Sequence, residues 1–78
     1  MNAKEVVRQL TEESPVWSQN GVAAEIGISS QNMSNKMRTA GDLRADLVAD
    51  YLAVLGYRLV AVPRKEKLPA GSVVIGGE

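Results

Sequence analysis

Residues 30–38 carry short hydroxyl and amide side chains and no carboxylate. An Asn or Gln amide pairs one donor with one acceptor, and this pair matches the N6 and N7 groups of adenine in the major groove of DNA. A generic surface helix would favour Glu and Lys for their helix propensity. The composition therefore favours contact with base pairs over a merely solvated face. The side chains of this outer face are Ser30, Gln31, Ser34, Asn35 and Arg38.

Such a face has to be presented by a well-placed helix, and the preceding residues predict how it is held. Val22, Ala23 and Ile26 form an apolar stripe at helical spacing within residues 18–26. Gly27 follows, and a residue without a Cβ atom can adopt the left-handed conformation that ends a helix. A helix ending in a sharp corner is predicted here.

A second helix is predicted directly after the corner, over residues 30–38. The hydroxyl of Ser29 can accept hydrogen bonds from the unpaired N–H groups at its start. Met33 and Met37 are four residues apart, so both would point inward. The two segments together have the layout of a helix-turn-helix.

Two further helices are predicted on either side of this unit. Asn2 can cap the first, over residues 3–13, and Val6, Val7 and Leu10 form its inward stripe. The fourth helix ends at Gly56 and begins after either Asp42 or Asp46. We favour Asp46 as its N-cap because the apolar stripe is cleanest from there. That stripe consists of Leu47, Tyr51 and Leu55, with Val48 and Leu52 beside it.

The pattern changes at Tyr57 from a helical period to alternation. Residues 57–62 are rich in branched side chains and predict a strand, residues 63–71 a basic loop, and residues 72–75 a second strand. The expected fold is mainly α, with a four-helix unit in residues 1–56 and a short C-terminal β-hairpin in residues 57–78 as an extension of the same domain.

Composition narrows the classes of function. The chain has 78 residues with neither cysteine nor histidine, which excludes metal sites of the Cys/His type and catalysis by histidine. We therefore expect no enzyme, no catalytic residues, no metal and no cofactor. The N-terminal residues lack the core of a signal peptide, and no apolar run approaches the ~20 residues of a membrane span. These features favour a cytoplasmic protein without a membrane partner.

Net charge is zero, with nine basic and nine acidic residues, which counts against strong non-specific binding of nucleic acid. The distribution is uneven and predicts a weak phosphate-binding face opposite an acidic one. Capping and surface charge explain the carboxylates at Asp42, Asp46 and Asp50 better than paired-carboxylate catalysis does. The basic loop with Arg64, Lys65 and Lys67 is favoured as a solvated loop, with a DNA-contacting wing as the alternative.

Residues 18–38 resemble the helix-turn-helix of the Cro and lambda-repressor-like family of bacterial and phage regulators. The family opens with Ser/Thr-Gln, continues with a Leu-Ala pair, turns at Leu-Gly-Val/Ile-Ser and ends in a polar recognition helix. This chain has Ser18-Gln19, Val22-Ala23 and a corner over residues 26–29. The similarity extends loosely over residues 3–55, and the C-terminal LGYRLVAVP resembles a smaller group of phage-type proteins with a C-terminal hairpin.

The resemblance implies a four-helix DNA-binding domain and assigns roles to its residues. Gln19 corresponds to a family glutamine that holds a phosphate and braces the start of the recognition helix. Ser30, Gln31 and Asn35 correspond to positions that read bases. Lys36 and Arg38 would neutralise phosphates. Two further residues flank this face, Asn32 and Ser34.

Two hypotheses follow for the function. The first is a sequence-specific transcriptional regulator, a repressor of phage type, that binds double-stranded DNA as a homodimer. The second is a protein-interaction module on the same scaffold, either antitoxin-like or a phage-encoded inhibitor, and zero net charge favours it. The apolar positions of residues 57–62 and 73–75 predict dimerisation through the C-terminal strands. The alternative is that residues 57–62 pack over the fourth helix of their own chain.

Overall fold

Four helices make up the regular structure of residues 1–75, the part of the chain that the computed structural model describes. They are α1 (Ala3–Glu13), α2 (Gln19–Ile26), α3 (Ser30–Arg38) and α4 (Ala45–Leu55). The mainly α class and the number of helices are confirmed. No helix in these residues combines the length and the apolar character that crossing a membrane requires.

The first turn of α1 leaves four backbone N–H groups without helical partners, and each has an acceptor. Two of these acceptors form a capping box, since Asn2 Oδ1 accepts from Glu5 N at 2.8 Å and Glu5 Oε1 accepts from Asn2 N at 2.9 Å. The carboxylate of Asp42 supplies the others, accepting from Ala3 N at 2.9 Å and from Lys4 N at 2.8 Å. The predicted Asn2 cap is confirmed, and the loop before α4 completes it.

One apolar core joins all four helices. α1 contributes the predicted stripe, α2 contributes Val22 and Ala23, α3 contributes its two methionines, and α4 contributes Tyr51, whose side chain is fully buried. Ile26, Leu47 and Leu55, which the stripes also place inward, are half-buried at the margin of the core. The buried core residues are Ala3, Val6, Val7, Leu10, Val22, Ala23, Met33, Met37, Val48, Tyr51 and Leu52.

The predicted start of α4 is wrong. Arg44 is the N-cap residue and makes no side-chain capping bond, whereas Asp46 lies in the first turn of the helix. Asp46 Oδ1 accepts from the neighbouring Leu47 N at 2.9 Å and lies 3.7 Å from Arg44 Nε. Asp42 does not cap α4 either, because its carboxylate is bound to the start of α1.

The predicted C-terminal hairpin is also not observed. Residues 57–75 contain no strand, and the backbone bonds within them are two turns, from Glu66 N to Pro63 O and from Ser72 N to Pro69 O. The alternating pattern of residues 57–62 suits a strand, but a strand forms only when another strand pairs with it. A lone two-stranded hairpin has only marginal stability in water. Residues 76–78 of the predicted extension lie outside the described residues.

Candidate nucleic-acid interface

The corner between α2 and α3 has the geometry that its sequence predicts. Gly27 adopts φ 85° and ψ 23°, a left-handed conformation. Its N–H donates to Ala24 O at 3.2 Å, and Ile28 N donates to Ala23 O at 2.8 Å. The last carbonyls of α2 are thus satisfied while the chain turns, which fixes the direction in which α3 leaves.

Capping at the start of α3 sets the rotation of this helix against the core. Ser29 Oγ accepts from Asn32 N at 3.1 Å, so α3 begins at Ser30 as predicted. Met33 and Met37 are buried with 0% and 6% exposure. The polar residues are therefore turned outward along the remaining circumference of the helix.

We call this outward surface the α3 face. Six of its seven residues are exposed, and Ser34 is half-buried. Gln31, Asn35 and Arg38 lie at helical spacing along its middle, and no carboxylate belongs to α3. The α3 face consists of Ser30, Gln31, Asn32, Ser34, Asn35, Lys36 and Arg38.

Gln19, the first residue of α2, reaches the α3 face at one edge. Its Nε2 donates to Ser34 Oγ at 3.5 Å, the long end of hydrogen-bond distances. Ser34 lies in the middle of α3, so this contact is made there rather than at the start of α3. The structure thus brings Gln19 together with the residues that the sequence grouped on α3.

Arg38 and Asn35 are paired on the α3 face itself. Arg38 Nη2 donates to Asn35 Oδ1 at 2.5 Å. This bond uses one of the two lone pairs of Asn35 Oδ1, and the other lone pair and the amide donor stay available to a base. Arg38 therefore holds the Asn35 side chain in one orientation, and reading of adenine by Asn35 would share its oxygen between Arg38 and adenine N6.

The helix termini differ in how their partial charges are compensated. α1 and α4 each carry an acidic residue in the first turn, Glu5 and Asp46, whereas α2 and α3 carry none. The positive ends of the α2 and α3 dipoles are therefore not neutralised by a carboxylate within their own first turns. Such termini favour a bound anion.

The uneven charge predicts an acidic face opposite the phosphate-binding one, but the acidic side chains border the α3 face instead. Lys36 shares a shallow groove of about 420 Å³ with Asp42, Asp46 and Asp50. Part of this charge is already engaged, because Asp42 binds the start of α1 and Asp46 lies beside Arg44. The backbone N–H of Ala3 is the main cause that lowers the pKa of the Asp42 carboxyl. Lys36 therefore faces a more acidic neighbourhood than the rest of the face.

Sequence reasoning missed a contact that holds the far end of α3. Lys4 Nζ donates to Thr39 O at 2.6 Å, and Arg8 Nη2 lies 3.4 Å from Met37 O. Both donors belong to α1 and both acceptors are carbonyls at the C-terminal end of α3, where a positive charge is favourable. No local signal could have revealed them, because the partners are 35 and 29 residues apart.

The basic loop of residues 63–71 makes no hydrogen bond or salt bridge with the α3 face. Arg64, Lys65 and Lys67 are exposed in a loop around the Pro63 turn. Within residues 1–75, no three His, Cys, Asp or Glu side chains form a cluster able to hold a metal ion.

Comparisons with family models, with curated protein sequences and with solved structures found no significant match to this chain.

Proposed function

We propose that this protein is a sequence-specific DNA-binding transcriptional regulator that reads the major groove with α3. The observation that carries the proposal is the exposed α3 face, which combines amide and hydroxyl side chains with two cations and no carboxylate. Gln31 and Asn35 supply the paired donor and acceptor that recognise adenine.

Phosphate contacts would position α3 without specifying sequence. The uncompensated N-termini of α2 and α3 support such contacts, with Gln19 at the first of them. Lys36 and Arg38 lie in the last turn of α3 and would neutralise phosphates at the other end. These phosphate contacts are few, so we expect weak non-specific binding and an affinity for DNA that depends only weakly on salt.

The experiment first selects a cognate site from random duplex DNA at low salt and then compares two substitutions. We expect Gln31→Ala to weaken cognate binding by ~1–3 kcal/mol, about fivefold to 150-fold, with random DNA nearly unaffected. Lys36→Ala should weaken all sequences about equally and reduce the salt slope by roughly one.

Gln9→Ala is the matched control, because Gln9 is exposed on α1 and bonds only to Glu13 of its own helix. It should change neither affinity nor salt dependence. Equal losses on cognate and random DNA for Gln31→Ala would remove Gln31 from the reading role, and a selection that enriches no motif would refute the proposal.

A second candidate is a protein-interaction module on the same scaffold, either antitoxin-like or a phage-encoded inhibitor. The carboxylates beside Lys36 and the zero net charge favour it, because both weaken attraction to phosphate. It predicts that the selection returns no motif and that Lys36→Ala leaves the low-salt affinity for DNA unchanged.

A further inference from the structure

Asn20 and Gly21 form the one Asn-Gly pair in the sequence, and both lie in the first turn of α2. The side chain of Asn20 is exposed to solvent. An asparagine followed by glycine readily loses its amide group, because the glycine has no Cβ that would hinder attack by its backbone nitrogen. Asn20 therefore has both the neighbour and the access to water that this reaction requires.

Water is the only co-reactant that the reaction consumes. The backbone nitrogen of Gly21 attacks Cγ of Asn20, its proton passes to water, and the side-chain amide leaves as ammonia. A second water molecule then opens the resulting succinimide ring at one of its two carbonyls. The product is aspartate, or isoaspartate, in which the backbone continues through the former side chain. Both products carry a carboxylate that is ionised near neutral pH.

One hydrogen bond holds the attacking nitrogen in the folded chain. Gly21 N donates to Ser18 Oγ at 3.1 Å, and at this position of a helix no carbonyl of the preceding turn is present to replace that acceptor. Ring closure also requires the backbone of Asn20 to leave the helical conformation. The first turn of α2 therefore has to open before the nitrogen can attack, and the Ser18 cap opposes this opening.

We infer that Asn20 is a site of spontaneous deamidation, that the Ser18 cap controls its rate, and that the modification reverses the electrostatic character of the α2 N-terminus. The first turn of α2 contains no acidic residue. A carboxylate at residue 20 compensates the positive end of the helix dipole, which otherwise favours a bound anion. The isoaspartate product also lengthens the backbone by one methylene group and so disrupts the turn.

The consequence for DNA rests on the proposed function, whereas the deamidation itself does not. Gln19 and the N-terminus of α2 are the proposed phosphate contacts at this end of the interface. A carboxylate on the residue next to Gln19 repels a phosphate there. Because phosphates are present in every sequence, the modified protein should lose affinity for cognate and random DNA alike.

The first test follows the modification without DNA. The purified chain is incubated in neutral buffer, digested at intervals and analysed by mass spectrometry, since deamidation replaces one NH group by an oxygen atom. Residue 20 should be modified first. Asn32 and Asn35 are internal controls, because both are exposed but precede residues with a Cβ, Met33 and Lys36.

The second test concerns the cap. Ser18→Ala should speed the modification about fivefold, because loss of an N-cap makes opening of the first turn more frequent by about this factor. Ser18→Thr keeps a capping oxygen and should keep a rate near that of wild type. Ser29→Ala is the matched control, since it removes the corresponding cap of α3 and leaves Gly21 N bonded. Circular dichroism checks that all three variants fold.

The third test measures affinity for DNA with Asn20→Asp as the modified form. Asn20→Gln is its control, because glutamine keeps the amide and its longer side chain closes the corresponding ring far more slowly. Asn20→Asp should weaken binding of cognate and random DNA about twofold to fivefold at low salt. Asn20→Gln should bind as wild type does and should stay unmodified at residue 20 during the incubation.

Each test has a result that would overturn its part of the inference. Modification of residue 20 that is no faster than that of Asn32 and Asn35 would refute the site. Equal rates in Ser18→Ala and Ser29→Ala would show that unfolding of the whole domain, and not the cap of α2, controls the reaction. Equal affinities of Asn20→Asp and Asn20→Gln would refute the effect on phosphate. If no variant binds DNA, the proposed function fails, and the first two tests still decide the modification.

Discussion

Tyr51 and Thr11 form the hydrogen bond that joins α4 to α1, and its direction can be deduced. Thr11 Oγ1 donates its single proton to Val7 O, so it can only accept in the 2.7 Å bond with Tyr51. The Tyr51 hydroxyl is therefore the donor. Tyr51 is fully buried, whereas Thr11 is half-buried and retains access to solvent.

This direction makes the two single substitutions unequal. Thr11→Val leaves a buried hydroxyl of Tyr51 without a partner, which costs about 1–3 kcal/mol. Tyr51→Phe removes the donor but leaves Thr11 bonded to Val7 O, so only the net value of one hydrogen bond is lost, about 0.5–1.5 kcal/mol. The double variant removes both polar partners and should be more stable than Thr11→Val alone.

Urea unfolding of the four proteins at one fixed concentration measures the cycle, since a dimer would make stability depend on concentration. In a domain of this size, each 1 kcal/mol shifts the melting temperature by about 4–8 °C. A larger loss in the free energy of unfolding for Tyr51→Phe than for Thr11→Val would contradict this direction of the hydrogen bond. Losses that simply add in the double variant would contradict it as well.

Two other substitutions test the corner and the cap. Gly27→Ala should cost about 1–2 kcal/mol from backbone strain alone, because φ is +85° and no atom lies within 4 Å of the added Cβ, and Gly27→Asn should cost less in the same unfolding assay. Equal costs would place the penalty elsewhere. Asp42→Ala should destabilise the fold near neutral pH, and the gap to wild type should close under acid. The pKa of Asp42 is lowered on folding, so its contribution is complete above the unfolded value of about 3.9 and is lost as pH falls through the folded value. Asp50→Ala controls for a general charge effect, and a gap that persists in acid would contradict this role for Asp42.

The sequence predicted the helices where the deciding contacts are local. Ser29 caps α3 as predicted, by accepting from an N–H three residues later, and Ser18, which the pattern places inside α2, caps that helix in the same way. Gly27 ends α2 through a conformation that its own missing Cβ permits. Such contacts can be inferred from a short window of residues, and the bounds of α1 and α3 are confirmed for this reason.

The errors arise where the partner is distant in sequence or where the described residues contain no partner. Asp42 is the less favoured of the two predicted N-cap candidates for α4, which begins three residues later, whereas its carboxylate oxygens accept from α1 across 38 and 39 residues. Residues 57–62 have strand composition, but a strand exists only with a neighbour to pair with. On the α3 face the residue types could be predicted, whereas the bond between Arg38 and Asn35 depends on side-chain positions that no spacing determines.

α1 and α3 are linked in both directions through the loop that follows α3. The loop carboxylate of Asp42 satisfies the start of α1, and Lys4, from that same first turn, donates to Thr39 O at the end of α3. Arg8 adds a second donor near Met37 O, one helical turn further along α1. The Gly27 corner fixes the start of α3, and these contacts from α1, together with the buried Met37 side chain, hold its C-terminal end. The proposed phosphate ligands, Lys36 and Arg38, are in that last turn, so their position depends on α1 although no residue of α1 belongs to the α3 face.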